Sequence, residues 1–305
     1  MKLHTDAKDR ANSIGTTSND SQDGEDDGID DSYERIKSIS TLSNSISRGL
    51  SISVIREKTD KVNIDIIDAR VVGHVRKRFA LYTLTVTRTP GLDSDKAVIE
   101  RRYSQFLKLY KELKKVFPDF MGDIEFPEKK LIGNLKDTLV RERCRLLQSF
   151  IRNIHENKEI KNSEIFKKFF YIESLQQGCQ FICGGLFEQA LNYLLNGLHL
   201  QQKLALDSTS EVIATLSNIV ECYTSLKDYK KVVDYCNAAL ELIKDDTSNV
   251  YLVPLLQTLK NAYDQLGESS ESTERRLKEI VHLNRIEVPD VRSLRELSAK
   301  RFAKQ

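Results

Sequence analysis

The sequence predicts an α+β unit, a three-stranded antiparallel sheet with helices, followed by an all-α helical region and preceded by an unstructured N-terminal stretch. Three observations carry this. Apolar residues alternate with period two over residues 62–103, they switch to a spacing of three to four from Phe106 onward, and they are sparse before residue 58. The sections expected are a disordered tail over 1–58, an α+β domain over 60–172 and a helical domain over 175–305.

The tail is justified by composition. Asp20, Asp23, Glu25, Asp26, Asp27, Asp30 and Asp31 form an acidic run with almost nothing apolar to bury. A serine-rich stretch follows from Ser38 to Ser53. Strand signals begin at Val62, where Val62, Ile64 and Ile66 alternate with Asn63 and Asp65. Ala69–His74 is a second strand candidate, Phe79–Thr87 a third and Ala97–Tyr103 a further one, with Pro90–Asp95 as a turn. Together they read as a small antiparallel meander. Phe106, Leu109, Tyr110, Leu113, Val116 and Phe117 then mark an amphipathic helix with lysines on its other face, ended by Pro118. Residues 119–134 read as loop. A second helix is expected from about Lys136 to His155 and a third from Ser163 to Tyr171.

From Leu175 onward the chain reads as helical, with an internal repeat. Phe187, Ala190, Tyr193 and Leu198 recur as Tyr229, Val232, Tyr235 and Leu240, each 42 residues on. Tyr223 and Leu226 recur as Tyr263 and Leu266, 40 residues on. Small, aromatic and aliphatic positions at this period resemble tetratricopeptide units, whose repeat is about 34 residues. Two and a half such units, with a final helix near Thr273–Leu283, are expected to stack into an array with a groove.

Composition bounds the function. The chain has 305 residues, of which 40% are hydrophobic and 30% charged, so collagen-like and wholly disordered classes are excluded. Five cysteines, an odd number in a long chain, argue against a disulfide framework and for a reducing compartment. No apolar run approaches the ~20 residues of a membrane-spanning helix. Residues Met1 to Asp6 hold no apolar signal segment. A soluble, cytosolic chain is expected, one that meets any membrane from outside. The net charge of +2 hides a pattern: residues 60–172 carry 24 Lys and Arg against 16 Asp and Glu, a net +8, between segments of −3 on either side. A basic middle segment suggests an anionic partner.

The chemistry gathers at Arg101-Arg102-Tyr103-Ser104-Gln105-Phe106, where a strand meets a helix. Strand alternation puts Arg102 and Ser104 on one side and Arg101 and Tyr103 on the other. An arginine at a strand end offers a planar fork that matches a phosphate, and the helix start adds free backbone N–H groups. Phe126-Pro127-Glu128-Lys129-Lys130 places lysines in a stiffened loop, and Arg141, Arg143 and Arg145 follow on a helix.

In this order, and on this β-then-α layout, these segments resemble the phox homology (PX) domain over residues 60–172. The resemblance implies phosphoinositide binding, most often of phosphatidylinositol 3-phosphate. By position, Arg102 matches the arginine that holds the 3-phosphate, and Tyr103 the aromatic that packs under the inositol ring. Ser104 sits beside the phosphate. Lys129, or Lys130 beside it, matches the lysine at the 1-phosphate, and Arg143 the arginine that bonds ring hydroxyls. The family's second loop proline is replaced here by the Glu128-Lys129-Lys130 stretch. Leu131 and Ile132 match the loop that dips into the bilayer. Two such side chains removed from water contribute roughly 3–6 kcal/mol, and each nearby basic residue about 1 kcal/mol, so a second signal is needed for firm anchoring. With the helical region included, Lys96–Ser104, Phe187–Leu191, Tyr251–Leu256 and Leu294–Leu297 resemble the sorting nexins of the 20 and 21 type.

That resemblance implies a peripheral adaptor on the cytosolic face of the early endosome membrane. Residues 175–305 would take a cargo receptor tail or effector protein. The alternatives are a scaffold whose PX unit binds no lipid, or a preference for phosphatidylinositol 4,5-bisphosphate at the plasma membrane. No cofactor, metal site or catalytic residue is expected. Cys179 and Cys183 lack a second pair at zinc spacing and read as core or partly buried thiols, and His155, His199 and His282 stand without a nucleophile or carboxylate pair. Nucleic acid is not an expected partner, because Tyr82 is nearly the only sheet aromatic available for stacking.

Overall fold

The computed structural model describes residues 61–73, 78–89, 97–130, 133–204, 209–284 and 292–302. The stretch expected to be disordered over 1–58, the turn at Pro90–Asp95 and the loop residues Leu131 and Ile132 lie outside the described residues.

Three strands, β1 (Lys61–Val72), β2 (Phe79–Thr89) and β3 (Ala97–Arg102), pair antiparallel in the order β1-β2-β3. The two strand candidates at Val62 and Ala69 are one strand. The register against β2 shifts between Ile66 and Asp68, and Ile67 at that irregularity is 60% exposed. A bulge of this kind breaks the alternation read from the sequence without ending the strand. β1 is an edge strand, and Gln148 covers part of its edge by accepting from Ile66 N–H and donating to Ile64 C=O. In β3 the burial alternates strictly, so Ala97, Ile99 and Arg101 face the core and Arg102 does not.

The helices α1 (Tyr103–Val116), α2 (Pro118–Gly122), α3 (Asp137–Glu156), α4 (Lys158–Asn162) and α5 (Glu164–Cys183) follow. α1 buries Phe106, Leu109 and Leu113 at helical spacing, whereas Val116, expected on that face, is 56% exposed. The loop expected over 119–134 opens with α2, because Pro118 fits the first position of a new helix once it has ended the old one. α4 is a single turn whose start is capped by the Asn157 side chain. The helix expected to stop at Tyr171 runs on to Cys183. No glycine or proline interrupts it before Gly178, and its apolar residues join the sheet end of the core to its helical end.

Beyond it lie α6 (Phe187–Leu204), α7 (Thr209–Ser225), α8 (Tyr229–Ile243), α9 (Leu252–Leu266), α10 (Glu271–Leu283) and α11 (Leu294–Arg301). These, with α5, form three helical hairpins: α5–α6, α7–α8 and α9–α10. The repeat is visible in atomic detail. Phe181 stacks on Tyr193 with ring centroids 5.4 Å apart, and Tyr223 stacks on Tyr235 at the same 5.4 Å, both residues 42 positions on. The hairpin turns match as well. Leu186 N–H donates to Phe181 C=O, Asp228 to Tyr223 and Glu268 to Tyr263, the bond that closes a helix with a left-handed residue. That residue is Gly185, Lys227 or Gly267, with φ of 74°, 61° and 71°. The count of two and a half units therefore becomes three, because α5 supplies the first helix of the first hairpin.

α5 and α6 approach closely. A Cβ on Gly197 would stand 2.4 Å from Leu175, and one on Gly178 2.7 Å from Leu194. α6 also contacts β2 and β3. There Lys203 donates to Val86 C=O at 3.2 Å, Asn196 to Val98 C=O at 3.3 Å, and Arg88 reaches back to Gln202 C=O. One continuous core links Ile64 in the sheet to Phe302 beyond α11. Among the described residues, no helix is long and apolar enough to cross a membrane.

Candidate functional site

The strand-to-helix junction sorts the two neighbouring arginines. Arg101 is 4% exposed and points inward. Its guanidinium donates to Phe169 C=O at 2.8 Å and Phe170 C=O at 2.8 Å, and pairs with Glu173 at 3.2 Å. Arg102, one residue on, is half-buried on the opposite side. It occupies the N-cap position of α1, and its guanidinium carbon lies 3.6 Å from the centroid of the Phe79 ring. Gln105 fixes the backbone there by accepting from Arg102 N–H at 2.7 Å while donating to Glu173 at 2.7 Å. Arg101 therefore pins β3 to α5, and Arg102 is presented at a helix N-terminus, where the dipole and open N–H groups favour an anion.

Tyr103 and Arg143 meet directly. The Arg143 guanidinium carbon lies 4.2 Å from the Tyr103 ring centroid, and Tyr103 O–H donates to Pro127 C=O at 2.6 Å. Arg143 donates to Glu128 C=O at 3.2 Å. Burial raises the Tyr103 phenol above its ordinary pKa, with the charge of Arg143 opposing that rise. The loop is held from below. Phe126 stacks on Tyr110 with centroids 4.6 Å apart and meets Phe150 edge-on at 5.1 Å, while Pro127 is buried. Glu128, Lys129 and Lys130 are exposed.

Of the three helix arginines singled out in the sequence, Arg143 alone comes to this cluster. It is 4% exposed, and its Nε has no hydrogen-bond partner among the described residues. Arg141 pairs with Asp137 at 2.6 Å on the surface, and Arg145 is exposed. The sequence signal was present: Arg143 stands in the buried stripe of α3, between Val140 and Leu147. Ser104 is exposed in the first turn of α1, at the rim of a shallow depression of about 320 Å³ shared with Leu107, Lys108, Lys111 and Lys115. Tyr103, Arg143 and the Pro127–Glu128 backbone are thus joined through one set of contacts; Arg102, adjacent to Tyr103 in the chain, rests on Phe79 instead, and Lys129 is exposed next to Glu128. Phe79, which carries the Arg102 guanidinium, is a residue that the sequence motif did not point to.

The thiols are of a different kind. Cys179 is buried, and burial pushes its pKa up to about 12, so it stays a protonated core residue. Cys183 is exposed.

Comparison with known proteins agrees with this layout. A match to the PX domain covers residues 89–173. Sorting nexin-20 of Bos taurus is 28% identical over 244 residues, which cover 79% of this chain and 76% of that protein. Sorting nexin-20 of Rattus norvegicus is 30% identical over 224 residues, covering 73% of this chain and 72% of that protein. Sorting nexin-21 of Homo sapiens is 28% identical over 237 residues, covering 77% of this chain and 63% of that protein. Among solved structures, a designed CISK-PX domain aligns over 35% of this chain and 97% of its own, at 24% identity and a TM-score of 0.32. With its PX match running from the end of β2 into α5, and its helical region aligned as well, the chain belongs to the sorting nexins that carry a PX domain, with sorting nexin-20 and sorting nexin-21 as its relatives.

Proposed function

We propose that this sorting nexin is a peripheral adaptor that recognises phosphatidylinositol 3-phosphate on the cytosolic face of early endosomes. Its helical region would hold a cargo receptor tail or an effector. The role needs no catalytic step. The observation that supports the reading is the set of contacts joining Tyr103, Arg143 and the Pro127–Glu128 backbone, with Arg102 next to Tyr103 in the chain and Lys129 exposed next to Glu128. Arg102, steadied on Phe79 at the start of α1, is the group for the 3-phosphate. Its planar fork and the helix N-terminus act on the same anion. Lys129 at the exposed edge suits the 1-phosphate, and Arg143 suits the ring hydroxyls. Because Arg102 is held by Phe79 and Gln105 before any ligand arrives, little side-chain freedom is lost on binding.

The test is sedimentation with vesicles, with and without phosphatidylinositol 3-phosphate. The wild-type chain should co-sediment with the phosphoinositide vesicles, and Arg102→Gln should stay in the supernatant with an unchanged melting temperature. In cells the same variant should leave endosomal puncta for the cytosol. Equal retention of both proteins would eliminate the reading. One observation favours a second reading, a scaffold that binds no lipid: Arg143 already spends a donor on Glu128 C=O and lies on the face of Tyr103. Vesicles carrying phosphatidylinositol 4,5-bisphosphate in a third arm separate a different headgroup preference from no lipid binding at all.

A further inference from the structure

α7 is buried in an unusual way. Ile213 through Val220 are buried without a break, whereas a helix covered on one side buries a single stripe. α6 and α8 cover part of it and α5 another part. α11 closes the remainder, touching α7 along its length and α5 at the edge. The C-terminal helix therefore does not extend the row of hairpins but folds back across two of its members.

The seat has a definite chemistry. α11 offers Leu294 and, just after its end, Phe302, both buried, with Leu297 half-buried between them. Its arginines are exposed and lie toward opposite ends of α7: Arg301 donates to Ser210 at 3.4 Å, and the charge of Arg295 acts on Glu221. Burial raises the Glu221 carboxyl above its ordinary range, and Arg295 opposes that rise. On the same side of α7, Glu211 is buried and accepts from Tyr171 O–H at 2.5 Å and Lys168 at 3.2 Å. Between the two acids, fully buried Asn218 donates to Cys179, but its Oδ1 has no partner among the described residues.

We propose that the face of α5 and α7 now covered by α11 is a docking surface for a short amphipathic helix with apolar side chains and arginines, and that the chain's own C-terminal helix is its resident occupant. Two features make that occupant exchangeable. An eight-residue helix does not hold its shape alone, so α11 is helical because it is seated. Among its described side chains, Leu294 is buried and Leu297 half-buried while Arg295, Glu296 and Arg301 are exposed, whereas the hairpins interlock through Gly178 and Gly197. A partner helix with the same pattern would take the seat from it. This inference rests on reading the helical region as the partner-binding unit.

The experiment uses the full chain and a fluorescent peptide of residues 291–305. Two variants free the seat by different means. Leu294→Asp with Leu297→Asp removes the apolar contacts, and Arg295→Glu with Arg301→Glu changes only exposed side chains. Anisotropy should show the peptide binding both variants about 100-fold more tightly than the wild type, because a tethered occupant competes at an effective concentration near the millimolar range. Adding Glu221→Arg to either variant should abolish that gain. Binding to neither variant, binding to all three proteins alike, or a gain that survives Glu221→Arg would overturn the proposal. Melting curves identify a variant that has lost its fold, in which case the other variant decides. Vesicle sedimentation of the same samples keeps failure here distinct from failure of the membrane reading.

Discussion

Arg101 and Arg102 are adjacent, alike and opposite in role, because a strand turns successive side chains to opposite faces. Arg101 neutralises carbonyls of α5 and pairs with Glu173 inside the fold. Arg101→Met should destabilise the protein by about 2–4 kcal/mol in urea melts, since it leaves the Phe169 and Phe170 carbonyls without their donor and half-buried Glu173 without its cation. Arg102→Gln should change stability by less than about 1 kcal/mol and act on vesicle binding instead. Lys227 gives a second contrast. It occupies the left-handed turn position that its two counterparts fill with Gly185 and Gly267. Lys227→Gly should raise stability by about 0.5–1 kcal/mol, because the strain of a side chain there outweighs the extra freedom glycine brings to the unfolded chain. His155 stacks near Phe166 with a buried Nε2, and burial together with Lys161 lowers its pKa to about 4. The unfolded chain takes up a proton at this residue near pH 6.5, before the folded chain does. Stability from this site is thus complete above pH 6.5 and declines as pH falls toward 4. His155→Phe should flatten that part of the pH profile; an unchanged slope would place the titration elsewhere.

Among the elements, the sequence was most informative where a pattern is local. The period of two in β3 and the Phe106–Leu109–Leu113 stripe of α1 can be read without knowing what they touch. The outward side of Arg102 was readable for the same reason, whereas Tyr103, read as a strand residue on the side of Arg101, is the first residue of α1. Patterns set by distant partners were not readable. The extension of α5 past Tyr171 follows from a part of the core that exists only once α6 folds onto it, and Phe79 under Arg102 follows from the pairing of β2 with β3. The 42-residue offset was visible, but its phase was not: similar residues mark the repeat without saying which helix begins it. The phase has consequences for substitutions. Tyr235→Ala should cost about 3–5 kcal/mol, because it removes both a buried ring and its stack on Tyr223. Gly197→Ala should cost about 1–3 kcal/mol by forcing Leu175 aside. If Tyr235→Ala melts like the wild type, the hairpin register is wrong.

At the scale of the molecule, the sheet and the hairpins share one core rather than abutting as two. Lys203, Asn196 and Arg88 tie α6 to the sheet, and Arg101 ties β3 to α5. Calorimetry should therefore show one cooperative transition for the whole chain; two separated peaks would contradict the shared core. A chain cut after Ile172 loses Glu173 and α6 and should melt lower than one cut after Leu204, which keeps them.

α5 has a further consequence for geometry. A single rod passes the β3–α1 junction at Phe169 and Phe170 and ends inside the first hairpin, so whatever the hairpins carry would stand at a set angle to the sheet. A helix rises 1.5 Å and turns about 100° per residue. One alanine inserted near Ser174 would swing the carried molecule a quarter-turn or more around that rod. In the proposed role, the bearing of a carried molecule relative to the lipid plane would be written in the length of a helix, not left to a tether.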